Sequence, residues 1–179
     1  NQTSIIPSLS VIGLATSLLG SLAQADTVKW TSQQLCKEFH AEGATAGDFN
    51  KDGKLDVAYG PFWWEGPAFT KQHEIYTPAA VDPRSYSKNF FAYSPDLNKD
   101  GFQDILILGF PGEDSYWFAN PRNAEGHWTR HSVLKVTANE SPGWMDVTGD
   151  GVPEIVCSSG EYFGYASPGE DPTKEWPFT

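Results

Sequence analysis

The segment Asp48-Phe-Asn50-Lys-Asp52-Gly53-Lys-Leu-Asp56-Val-Ala-Tyr-Gly60 joins an acidic, glycine-bearing loop to a short apolar run. It recurs as Asp96-Leu-Asn98-Lys-Asp100-Gly101-Phe-Gln-Asp104-Ile-Leu-Ile-Leu-Gly109 and as Asp146-Val-Thr148-Gly-Asp150-Gly151-Val-Pro-Glu154-Ile-Val-Cys-Ser-Ser-Gly160. The first aspartates, at 48, 96 and 146, stand 48 and then 50 residues apart. A period near fifty is the mark of a solenoid, a propeller or an array. Each copy continues into an aromatic cluster and a proline: Trp63-Trp64-Glu-Gly-Pro67, Tyr116-Trp117-Phe118-Ala-Asn-Pro121 and Tyr162-Phe163-Gly-Tyr165-Ala-Ser-Pro168. The first two copies then add Gln72-His73-Glu74-Ile75-Tyr76 and His127-Trp128-Thr129-Arg130-His131.

Working outward from the loops, each unit reads as β-structure. Leu55–Tyr59, Asp104–Leu108 and Ile155–Ser158 are short, aliphatic and bounded by glycine. In the second, Ile105 and Ile107 point one way and Leu106 and Leu108 the other. A strand apolar on both faces belongs between two packed layers. The aromatic cluster suits the next strand, and the His-Trp-Thr-Arg-His type of segment the outermost one. No stretch after residue 45 keeps a helical period, while Gln33–Phe39 fits either one helical turn or an outer strand. Three or four strands per unit match the blade of a β-propeller. The expected fold is all-β, a partial propeller over residues 26–179 with units at about 40–88, 89–138 and 139–179.

The loop spacing carries chemistry. Side chains at positions 1, 3 and 5 of a tight loop converge on one point, and the glycine at position 6 lets the chain fold back. The carbonyl at position 7 then turns inward, and the acid at position 9 (Asp56, Asp104, Glu154) closes the cage. All these donors are hard oxygens, which suit calcium rather than zinc or copper. The helical calcium loop would need Glu at position 12, where Tyr59, Ile107 and Cys157 stand. The bland alternative is a β-turn, since Asp, Asn and Gly form turns without any ion. A plain turn, however, needs no acid at positions 1 and 9. The loops hold nine of the chain's 23 acids; set those nine aside and 14 acids remain against the chain's 12 bases. The net charge of −11 is therefore largely the charge of the loops.

These loops, leading into glycine-bounded aliphatic strands, resemble FG-GAP/VCBS repeats, the units of the calcium-bearing β-propeller of integrin α chains and of secreted bacterial proteins. The resemblance covers about residues 40–179. It implies one calcium ion per blade, held by side chains of Asp48, Asn50, Asp52 and Asp56; Asp96, Asn98, Asp100 and Asp104; and Asp146, Thr148, Asp150 and Glu154. The backbone carbonyls would come from Lys54, Phe102 and Val152. The third loop departs from the pattern in having Thr148 for Asn, Gly149 before Asp150, and Glu154 for Asp. The expected function is a protein- or glycan-binding module. The rival is a propeller-scaffold lyase or dehydratase acting on sugars or polysaccharides.

The first 25 residues are a different material. They carry no charge, run apolar or small from Ile5 to Leu22, and end in Ala23-Gln24-Ala25. This is the apolar core and cleavage pattern of a secretory signal peptide, which predicts a secreted, periplasmic or cell-surface protein with no membrane span after cleavage. A membrane anchor is the alternative, weakened by Pro7 and the absence of a basic flank. Residue 1 is Asn and Thr179 falls inside the third unit, so the chain is expected to be part of a longer protein. The acidic balance argues against nucleic acid as a partner. Cys36 and Cys157 allow one disulfide at most.

Candidate catalytic residues are sparse. His127 and His131 lie on a strand about 13 Å apart, too far to share a metal. His73-Glu74 beside Lys71 could form an acid–base pair, although residues on a surface strand look much the same. Trp63, Trp64 and Trp117 could stack on sugars, but packing between blades is the favoured reading. An enzyme would need convergence among His40, His73, His131, Arg84 and Arg130.

Overall fold

The computed structural model describes residues 28–179, so the expected signal peptide at 1–25 lies outside the described residues. Residues 28–33 form no helix or strand, and residues 34–179 make one compact unit. Eleven strands and no helix are present among the described residues. Sheet I contains β1 (Ala44–Gly47), β2 (Asp56–Tyr59), β3 (Phe62–Trp64) and β4 (Gln72–Glu74). Sheet II contains β5 (Phe91–Tyr93), β6 (Ile105–Leu108), β7 (Glu113–Ala119) and β8 (Thr129–Thr137). Sheet III contains β9 (Gly143–Met145), β10 (Glu154–Ser159) and β11 (Tyr162–Ala166). All pairings are antiparallel between chain neighbours, so each sheet is a simple meander. Beyond β11, Phe178 bridges Ala166 and the Thr179 and Tyr165 backbones exchange hydrogen bonds of 2.9 and 3.0 Å.

The acidic loop always joins the first strand to the second, and the aromatic cluster always supplies the third. The apolar faces of β6 decide how the sheets stack. Ile105 and Ile107 join Phe49, Ala58, Trp63 and Ile75 of the first repeat in one core. Leu106 and Leu108 join Ile155, Cys157, Ala166 and Trp176 of the third in another. Sheet II is thus the filling between I and III, as the two-faced pattern predicts. Each fully buried Leu or Ile there contributes about 1.5–3 kcal/mol. Trp63, Trp64 and Trp117 are all buried, Trp63 and Trp117 within these two cores. Gln33–Phe39 is neither helix nor strand; it bends at Lys37 and Glu38. Its Phe39 carbonyl is engaged instead by the distant Val81 N–H at 2.7 Å, a tertiary contact that outweighs local preference. Both cysteines are free, Cys157 inside the second core.

Candidate functional site

The three loops fold alike. At position 1, Asp48 accepts from the N–H groups of Asp52 and Gly53 at 3.0 and 2.9 Å, and Asp96 from those of Asp100 and Gly101 at 3.1 and 2.9 Å. Asp146 accepts from Gly149 and Gly151 at 2.7 and 2.9 Å. Asn50 and Asn98 accept from the same N–H as the aspartate two residues earlier, at 3.0 and 3.1 Å. In the first two loops the side chains of positions 1 and 3 thus meet at the backbone N–H of position 5. Two residues per loop have left-handed backbone: Lys51 and Gly53, Lys99 and Gly101, Gly149 and Gly151. Position 4 thus requires the same positive φ as position 6. Gly149, which looked like a departure in the sequence, suits that position better than the two lysines do.

The closing acids are the least exposed ionisable groups of the loops: Asp56 and Asp104 are 0% exposed and Glu154 1%. Asp56 accepts from Phe49 N–H at 2.9 Å with one oxygen and from Gly66 N–H at 2.8 Å with the other. Asp104 accepts from Leu97 N–H at 2.8 Å and Asn120 N–H at 2.9 Å. Each carboxylate so ties its loop to the end of the next hairpin. Glu154 instead takes both bonds within its own loop, from Val147 N–H at 2.9 Å and the Thr148 hydroxyl at 3.2 Å. Burial pushes the carboxyl of Asp104 up to about 6, against the pull of its backbone hydrogen bonds. Burial also raises Asp56, which the Gly66 and Phe49 N–H groups lower. Among the described residues no cationic side chain pairs with Asp56 or Asp104, and an oxygen-only donor set is what calcium accepts. The residues present fit the ion. In the third loop, one oxygen each of Asp146, Asp150 and Glu154 already lie within 4.8 Å of one another.

Contacts from sheet II reach the first loop. Asn120, 5% exposed, donates through Nδ2 to the carbonyls of Phe49 and Gln103, both at 2.9 Å. Gln103 Oε1 accepts from Asp48 N–H at 2.6 Å, and Asn123 Nδ2 donates to the Asn50 carbonyl at 3.0 Å.

Beside that loop opens a groove of about 840 Å³, walled by Asn50 and Asp52 on one side and by Asn123–His127 on another. Phe49, Trp63 and Trp128 form its floor. Glu65 Oε1 lies 2.5 Å from Lys71 Nζ and 2.8 Å from His73 Nε2. The Lys71 ammonium, followed by His73, holds the Glu65 carboxyl below its ordinary range. The His73 ring stacks on Trp63 at 4.0 Å, and His127 Nε2 reaches Glu74 Oε2 at 3.1 Å. His73 and Glu74 are thus more than plain strand residues. Sequence reasoning missed Glu65, six residues before Lys71, and weighed His127 only against His131, not against its partner Glu74, 53 residues away. The Trp63-Trp64-Glu65 to Lys71-Gln72-His73 hairpin spacing could have found the first; nothing local announces the second.

The other catalytic candidates stay apart. His40 faces the Ala79 carbonyl, Arg84 pairs with Asp82, Arg130 with Asp114, and His131 lies against Trp117. Among the described residues, no hydrogen bond, ion pair or ring contact joins any two of His40, His73, His131, Arg84 and Arg130.

Against known families, the FG-GAP-like repeat matches residues 96–157. The match starts on the first aspartate of the second loop, takes in β6, β7 and β8 but not β5, crosses the third loop, and ends in β10. No curated protein and no solved structure matches the chain. No helix among the described residues is long and apolar enough to cross a membrane.

Proposed function

We propose that the chain is part of an exported, calcium-binding β-propeller that serves as an interaction module. The groove between sheets I and II receives the protein or carbohydrate ligand. The observation that carries this reading is that Asn50 and Asp52 belong at once to an acidic loop and to the groove wall. Calcium would be held by the side chains of positions 1, 3, 5 and 9 and the carbonyls of Lys54, Phe102 and Val152, and it would supply the positive charge that the buried acids lack. A filled first loop fixes one wall of the groove, and Asn120, Gln103 and Asn123 hold that loop against sheet II. The paired acid, base and amide groups over an aromatic floor then provide orienting polar contacts, the usual make-up of a ligand cleft.

A glycan array and a calorimetric calcium titration on the full-length protein test the reading. Expected are calcium saturation, glycan or protein binding that falls on chelation, and at least a tenfold loss of ligand affinity in His73→Ala with the calcium affinity unchanged. Absence of any calcium heat would reduce the loops to turns. Ligand binding indifferent to His73→Ala would move the site elsewhere.

A further inference from the structure

We propose that Cys36, Glu38 and His40 form a second kind of metal site, for a divalent cation of the zinc class, independent of the acidic loops. One donor atom from each of the three residues lies within 4.8 Å of the others. The bend at Lys37 and Glu38 brings them together. The segment is anchored on both sides of His40: the His40 N–H donates to the Tyr59 hydroxyl at 3.1 Å, and the Phe39 carbonyl accepts from Val81 N–H.

The state of the imidazole is the second, independent observation. His40 is 7% exposed, held between the edges of Tyr59 and Phe62. Its Nδ1 lies 2.9 Å from the Ala79 carbonyl oxygen. A carbonyl only accepts, so Nδ1 carries the proton and Nε2 keeps its lone pair. No described residue hydrogen-bonds Nε2. An imidazole donating from one nitrogen to a backbone carbonyl while the other stays free is the arrangement by which proteins orient a metal-binding histidine. The approach also needs Gly60, where a Cβ would stand 2.6 Å from the Cβ of His40.

The donors choose the metal. Cys36 Sγ is 3.7 Å from Glu38 Oε2 and is a free thiol. A thiolate, an imidazole nitrogen and one carboxylate oxygen suit zinc and disfavour calcium. Binding would release the thiol proton to solvent. The thiolate and carboxylate would carry two negative charges against the two positive charges of the ion. Three protein ligands leave the fourth tetrahedral position to water. Such an ion would lock the 36–40 bend, whose His40 already rests against Tyr59 and Phe62 of sheet I.

Cobalt(II) is the probe, titrated into the full chain with the acidic loops saturated by calcium. A one-equivalent near-ultraviolet thiolate-to-cobalt charge-transfer band is expected, displaced by zinc and retained in Cys157→Ser. Cys36→Ser should abolish it, and Glu38→Gln should weaken cobalt affinity at least tenfold. Zinc should also slow alkylation of Cys36 in the unaltered chain at least tenfold, a reading that requires no variant to fold. No charge-transfer band, a band that survives Cys36→Ser, or alkylation indifferent to zinc overturns the proposal.

Discussion

Sheets II and III carry the same loop in the same place, yet their closing acids do different work. Asp104 spends one oxygen on its own loop, at Leu97, and the other on Asn120 at the far end of β7. Through Asn120 it is also connected to the Phe49 carbonyl of the first loop. Glu154 spends both oxygens on Val147 and Thr148, inside its own loop. The second loop is a keystone between elements, whereas the third is self-contained. Position 9 of the motif therefore serves the architecture whether or not an ion is bound. The identity of that acid, one methylene longer in sheet III, accompanies a different reach.

The largest break in this comparison should come from deleting the closing acids. Asp104→Ala leaves the buried N–H groups of Leu97 and Asn120 without acceptors, at about 1–3 kcal/mol each. We expect a loss of about 3–5 kcal/mol for Asp104→Ala. Glu154→Ala strands one backbone N–H and a hydroxyl that can turn elsewhere, and should cost about half as much. Urea denaturation of the full-length protein at fixed calcium and again in chelator measures both. Equal losses would mean that the Asn120 connection contributes nothing.

The fold was legible because β6 is apolar on both faces, and a strand of that kind has one place to go. The loops were legible because their donors fall within nine residues, and local spacing is what a sequence displays. The bridging role of Asn120 was not legible. A single amide joining three segments leaves no periodic trace, and an Asn before Pro121 reads as an ordinary turn residue. The groove was half legible: His73, Glu74 and Lys71 drew attention as neighbours, but Glu65 and His127 arrive through strand pairing and sheet stacking. Gly149 departs from the two lysines in residue type but shares their positive φ, and a sequence shows residue types and not the sign of φ.

Removing calcium should sharpen the contrast at a reporter between the two sheets. Cys157 lies buried in the core shared by sheets II and III, and burial pushes its thiol up to about 11. At neutral pH it is protonated as well as covered, so labelling requires sheet III to open. At a calcium concentration ten times the dissociation constant, each occupied site adds about 1.4 kcal/mol, equivalent to roughly tenfold in an opening equilibrium. Chelation should accelerate labelling of Cys157 by about tenfold or more, measured in Cys36→Ser to remove the other thiol. A rate indifferent to calcium would detach the third loop from the stability of its sheet.

Loss of a single ligand side chain should rank the two sites. In the second loop the closing acid is held from two elements, so its position is fixed before an ion arrives, and preorganisation favours affinity. In the third, the Thr148 hydroxyl must give up its bond to Glu154. With calcium present, Asp100→Ala should cost about 1 kcal/mol more than Asp150→Ala, and the difference should close in chelator. Thermal melts of both variants with and without calcium decide it, and a difference that persists in chelator would trace to packing instead.

The smallest effect expected tests the backbone that both loops share. Gly149 has φ of +79°, and a Cβ there would meet no atom within 4 Å. Any penalty for Gly149→Ala must then come from the left-handed backbone alone, at about 1 kcal/mol. Lys99 sits at the same position of the second loop with φ of +58°. Lys99→Gly removes that strain but also frees the unfolded chain, which costs about 0.4–1 kcal/mol in return. The two terms nearly cancel, so Lys99→Gly should move stability by no more than a few tenths of a kcal/mol. Gly149→Ala should be clearly destabilising in calcium and in chelator alike. If it destabilised only in calcium, position 4 would be acting through the ion rather than through φ, and the likeness of the two loops would lie in their ligands and not in their backbone.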